Sequence, residues 1–160
     1  MRALFGALTR ISSGTTGRSK ASPLGRPYVP SVQASNLMAC RVAMLLTLLV
    51  ALRMFVTVEQ PASSVLEFHP CMQRVFGATK FYALRFSMWY FQGRTLKPSV
   101  LYSNHKFFEE ILDMATDRPF EKPCESLVQR WKGRSTGAVK FRGNAALKDS
   151  QEYPQLFGHP

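Results

Sequence analysis

The sequence predicts an α/β protein in which a helix, a buried strand and a second helix precede an aromatic hairpin at the sheet edge. Three stretches carry that expectation: "SNLMACRVAMLLTLLVAL" from Ser35 to Leu52, the run "MFVTV" from Met54 to Val58, and "KFYALRFSMWYFQGRTLKPSVLYSN" over residues 80–104. The first is long and apolar, the second short and β-branched, and the third dense in aromatics around a polar break.

Residues 1–33 are basic and rich in Ser, Thr, Gly and Pro, with no acid. That composition fits a transit peptide, with Met1 to Ile11 as its amphipathic helix, or a disordered basic tail. Either way the fold is expected to occupy residues 34–160. Ser35 and Asn36 are good N-cap types, so a helix is expected over about 36–52. At about 100° per residue, Arg41, Thr47 and Arg53 point in three evenly spaced directions and leave no polar face. Such a helix is covered by protein or sits in a membrane. Its uninterrupted apolar part, Val42 to Leu52, is 11 residues, whereas a span takes about 20. A buried helix is therefore expected first, and a tilted anchor over residues 37–58 with snorkelling Arg41 and Arg53 second.

"MFVTV" reads as a central parallel strand covered on both faces. Glu59 would then stand at its carboxyl end, where open α/β sheets place ligand crevices, and Pro61 would stiffen the corner. Ser63 or Ser64 can cap the helical segment "SSVLEF", which Pro70 interrupts before "CMQRVFG". Two strands are expected at about 81–90 and 98–103, joined by a turn carrying Arg94 and Lys97. Asn104 can cap a helix over "HKFFEEILDMA", whose Phe107, Phe108, Ile111, Leu112 and Ala115 share one face. "LVQRWKGRSTGAVKFRGN" suggests a second hairpin around Gly133 to Gly137, and Pro154 can start a short helix.

The chain has 160 residues, 46% of them hydrophobic, and 21 Lys and Arg against 10 Asp and Glu. Seven bases, Arg2, Arg10, Arg18, Lys20, Arg26, Arg41 and Arg53, precede the first acid, Glu59. A balance of this kind suits nucleic acid, an anionic membrane surface or an organelle-targeting leader, and does not choose among them. Cys40, Cys71 and Cys124 lie 31 and 53 residues apart, a spacing that matches no Cys/His metal pattern. They read as reduced thiols of an intracellular protein, nuclear or organellar, and no metal site is expected. His69, His105 and His159 read as packing or surface groups.

The order helix, strand, Glu-Gln-Pro corner, helix, aromatic strand, basic turn, strand resembles the later half of the catalytic domain of DNA cytosine-5 methyltransferases. The matching residues are Glu59, Gln60 and Pro61, then Arg94, Lys97, Pro98 and Ser99, then Val100 to Asn104. The resemblance implies a partial Rossmann-like, methyltransferase-type sheet. It implies too that Glu59 receives hydrogen bonds from a flipped cytosine, that Gln60 and Pro61 aim it, and that Arg94 or Lys97 faces base or phosphate. "EQPASS", "KPSVLYSN" and "KDSQEYPQLFG" also resemble a group of proteins of dinoflagellate-type protists, which implies no function. A glycine-rich turn for S-adenosylmethionine and a Pro-Cys nucleophile ahead of Glu59 are missing, since Pro70-Cys71 and Pro123-Cys124 both follow it. The expectation is thus a degenerate or truncated methyltransferase-like domain without activity or catalytic residues of its own, binding S-adenosylmethionine only if an N-terminal half is supplied. A basic nucleic-acid-binding module and a membrane-anchored protein are the alternatives.

Overall fold

The computed structural model describes residues 16–93, 96–115, 128–132, 137 and 139–143. The chain forms two units: Met1–Arg85 with Pro98–Glu110, and Phe86–Lys97 with Ile111–Pro160. The described elements are helices and small antiparallel sheets, in keeping with a mixed α/β class.

In the first unit, helix α1 runs from Pro30 to Ala51. It starts six residues earlier than the 36–52 expectation because Pro30, with its fixed φ and no N–H to satisfy, occupies the first turn. Ser35 and Asn36 are not its caps. Ser35 is buried, and both side chains accept hydrogen bonds from Arg18 (2.7 Å each). The helix ends where Arg53 adopts φ 58°. The Arg53 and Met54 amides donate to the Val50 and Leu49 carbonyls (2.9 Å each), the paired bonds of a Schellman closure.

Residues 16–29, expected to be tail, are joined to this unit. The Arg26 amide donates to the Thr16 carbonyl (2.8 Å), and the Arg18 side chain is fully buried. A Cβ on Gly25 (φ +65°) would stand 2.6 Å from the Thr16 oxygen, so this loop depends on glycine there. The expected leader helix at Met1 to Ile11 lies outside the described residues.

Strand β1, Thr57–Pro61, is not the central parallel strand that "MFVTV" suggested. It is an edge strand of a three-stranded sheet ordered β1-β3-β2, with β2 at Tyr82–Ser87 and β3 at Pro98–Ser103. β1 runs antiparallel to β3 with Glu59 opposite Leu101 and Pro61 opposite Ser99. Continuous apolar runs do not reveal strand direction, and here β3 is the strand buried on both faces. Helix α2, Pro70–Ala78, again begins on a proline, with the His69 ring as its N-cap. A short 3-10 segment, Leu66–Phe68, precedes it. Ala39, Ala43 and Leu46 of α1 pack with Val56, Leu66, Met72 and Val75 as the core.

Asn104 does not cap a helix. Its side chain accepts from the Val56 amide (2.9 Å) and donates to the Met54 carbonyl (3.0 Å), clamping the entry to β1, and Lys106–Met114 forms 3-10 turns in place of an α-helix. Asn104→Leu should therefore cost about 1–3 kcal/mol, two hydrogen bonds' worth, measured by urea unfolding.

In the second unit, Met88–Phe91 forms a 3-10 turn with Met88, Trp89 and Phe91 buried. The aromatic strand expected over 81–90 is split there. The expected second hairpin forms, with β4 at Val128–Lys132 antiparallel to β5 at Val139–Gly143. The helix expected at Pro154 lies outside the described residues.

Candidate functional site

The corner singled out in the sequence is a piece of sheet edge. Glu59 lies mid-strand, half-buried, on the face of β1 opposite Val58, which packs against the core. Gln60 is buried and its Oε1 accepts from the Ser64 hydroxyl (3.2 Å), which itself accepts from the Leu66 amide (3.1 Å). Gln60 and Ser64 thus shape the turn into the next segment. Pro61 closes the strand, and the Ala62 amide donates to the Pro98 carbonyl (2.8 Å). Lys97 belongs to the second unit, with φ 27°, and Arg94 lies outside the described residues. Glu59, Gln60 and Pro61 are thus successive residues of β1 in the first unit.

Two other arrangements stand out. The first is α1 itself. Val32, Ser35, Ala39, Ala43 and Leu46 are buried, whereas Leu37, Met44, Leu45, Leu48 and Leu52 are exposed, Met44 to 73%. At about 100° per residue these form two stripes whose centres stand about 170° apart. One stripe faces the core and the other faces solvent. Only 22% of the helix's most apolar stretch is covered by protein. Arg41, exposed, lies within the outer stripe, and Met54 and Phe55 just beyond the helix are exposed too. Thr47 presents no free hydroxyl, because its Oγ1 donates to the Ala43 carbonyl (2.8 Å). The sequence showed a helix apolar all round; what it could not show is which side the protein covers.

The second arrangement joins α1 to α2. Packing of the two helices brings Cys40 and Cys71 to a Cα separation of 5.3 Å, and they form a disulfide. This corrects their reading as reduced thiols. Pairing across 31 residues reflects which helix faces meet, which spacing alone does not encode. His69 joins them: one ligand atom from each of Cys40, His69 and Cys71 lies within 4.8 Å of the others. The His69 ring is buried, as a packing histidine should be. Its Nδ1 accepts from the Cys71 amide (3.3 Å), and its Nε2 is buried with no hydrogen-bond partner. Burial, aided by the positive charge of Arg18, holds its pKa below the ordinary histidine value. Arg18 is enclosed by neutral oxygens: the Pro23 and Val32 carbonyls, Ser35 Oγ and Asn36 Oδ1.

A polar pair also lies in the first unit. The Tyr102 hydroxyl donates to Glu67 Oε2 (2.6 Å), and burial first, then this carboxylate, raises the Tyr102 pKa. Arg85 stands 4.0 Å from Glu67 and is exposed, and Trp89 is a core residue.

Comparison with protein-family profiles, curated proteins and solved structures returns no match.

Proposed function

We propose that the chain is a membrane-associated protein that lays the outer stripe of α1 into the headgroup region of an anionic bilayer. The observation that carries this reading is the pair of opposed apolar stripes on one helix, the inner one spent on the core and the outer one exposed. A contiguous apolar surface of this kind marks a binding face. Charge selects the occupant. The chain carries +11, and its first 58 residues hold seven bases and no acid. Arg41 lies within the stripe, exposed, and can reach lipid phosphates while its stem lies along apolar surface. Two copies meeting through this face would instead bring like charges together.

The orientation is in-plane. At about 33 Å the helix is long enough to cross, but its inner face is bound to α2, which exposes Gln73 and Arg74. A crossing would pull these polar groups into hydrocarbon. The anchor also ends sooner than the 37–58 expectation, since the helix stops at Ala51 and residues 57–58 belong to β1. The methyltransferase-type reading rests on the order of segments and on short motifs such as Glu59-Gln60-Pro61, and β1, antiparallel at a sheet edge, is not the central parallel strand on which that reading places Glu59.

Flotation of the purified chain with vesicles tests the proposal. It should rise with phosphatidylserine-containing vesicles, rise less with neutral ones, and be released from native membranes by alkaline carbonate. A chain that stays at the bottom of the gradient with both vesicle types refutes the proposal. Retention in the carbonate pellet would replace the in-plane geometry with a span.

A further inference from the structure

Cys40, His69 and Cys71 are the three residue types that soft metal ions select, gathered from two helices and the residue between them. We propose that in the reduced protein these side chains form a binding site for a thiolate-seeking divalent ion of the zinc type, and that closing the Cys40–Cys71 disulfide expels it. This inference is independent of membrane binding.

The geometry needs little change. Around a tetrahedral zinc, with bonds of about 2.3 Å to sulfur and 2.0 Å to nitrogen, ligand atoms stand about 3.5–3.8 Å apart. The three atoms already lie within 4.8 Å of one another, so opening the S–S bond and advancing the imidazole by about 1 Å completes three corners. The ring is available for this. Its single hydrogen bond is the long 3.3 Å contact from the Cys71 amide, and the buried Nε2 has no partner to give up. Two thiolates and one dication sum to zero, so the half-buried cluster would carry no net charge. The fourth corner is left to a solvent molecule, as in zinc sites with three protein ligands.

The chemistry balances. A dithiol donates two electrons and two protons to the Cys40–Cys71 bond, which breaks into two thiols while the dithiol closes to a cyclic disulfide. The ion then displaces both thiol protons to solvent as two metal–sulfur bonds and one metal–nitrogen bond form. In the reverse direction hydrogen peroxide takes two electrons from the thiolates and two protons from solvent, leaving two waters, a re-formed S–S bond and the free ion.

The test uses the full chain, reduced with a phosphine and titrated with Co2+, then with Zn2+ as competitor. The expected result is one ion per chain with a thiolate-to-cobalt charge-transfer band, absent from the oxidised chain. His69→Gln should weaken binding by at least roughly tenfold, since even changes outside the ligand shell reach that size, and unaltered affinity in that variant overturns the three-ligand site. Should a variant fail to fold, the unaltered chain still decides. Zn2+ should protect Cys40 and Cys71 from alkylation and leave the rate at Cys124 unchanged; equal labelling of Cys40 and Cys71 with and without Zn2+ refutes the site.

Discussion

Replacing Leu45 and Leu48 together by glutamate should abolish binding to anionic vesicles while leaving the protein folded. Both residues are more than half exposed, 54% and 55%, so neither supports the core. Surface changes of this type alter stability by about 0.5 kcal/mol or less. Their burial in the membrane contributes about 1–1.5 kcal/mol each, half the value for a side chain moved completely from water. Two new carboxylates facing anionic lipid add a repulsion of about 1 kcal/mol each. The sum predicts a loss of at least about 100-fold in partitioning, read by flotation or by tryptophan fluorescence with added vesicles. Leu46→Glu is the informative contrast. Leu46 is one residue along but buried, so that variant should lose its cooperative unfolding transition. If the Leu45 and Leu48 changes left binding intact, the outer stripe would not be the membrane face.

The second large effect concerns the bridge between α1 and α2. Cys40→Ser should destabilise the first unit by about 3–4 kcal/mol, the chain-entropy value for a closed loop of this size, because the bridge spans 31 residues. Urea unfolding followed by circular dichroism would show the midpoint falling by about 1–4 M. Cys71→Ser and the reduced wild-type chain in the presence of a chelator should give the same curve, whereas Cys124→Ser should not move it. Coincident curves for oxidised wild type and Cys40→Ser would mean that the bridge contributes nothing to stability.

Local features were legible in the sequence where a residue acts through its own backbone or its immediate neighbours. The apolar character of α1, the hairpin of β4 and β5, the strand at 98–103 and the break at Pro70 all follow from composition and punctuation. Misreadings arose where a partner distant in the chain decides the outcome. Ser35 and Asn36 have the chemistry of caps, yet Arg18 claims both. Asn104 has the same chemistry and is taken by Met54 and Val56. "MFVTV" has the apolar continuity of a central strand but sits at an edge, because its antiparallel partner lies some 45 residues later. The candidate corner misled for the same reason: a carboxylate next to a proline carries no record of which strand pairs beside it. Neither candidate site was visible as a motif. The outer stripe of α1 differs from the inner one only in what covers it, and Cys40 and Cys71 meet only once two helices have packed.

The enclosure of Arg18 bears on how the N-terminus can be processed. Removal of residues from the front of the chain would have a structural limit. Cutting before Thr16 would leave the loop closed by the Arg26–Thr16 bond intact. A cut beyond Arg18 would strip the guanidinium from the carbonyls of Pro23 and Val32 and from the side chains of Ser35 and Asn36, loosening the first turns of α1. The start of α1 is therefore held by one buried arginine that lies twelve residues ahead of it in the chain.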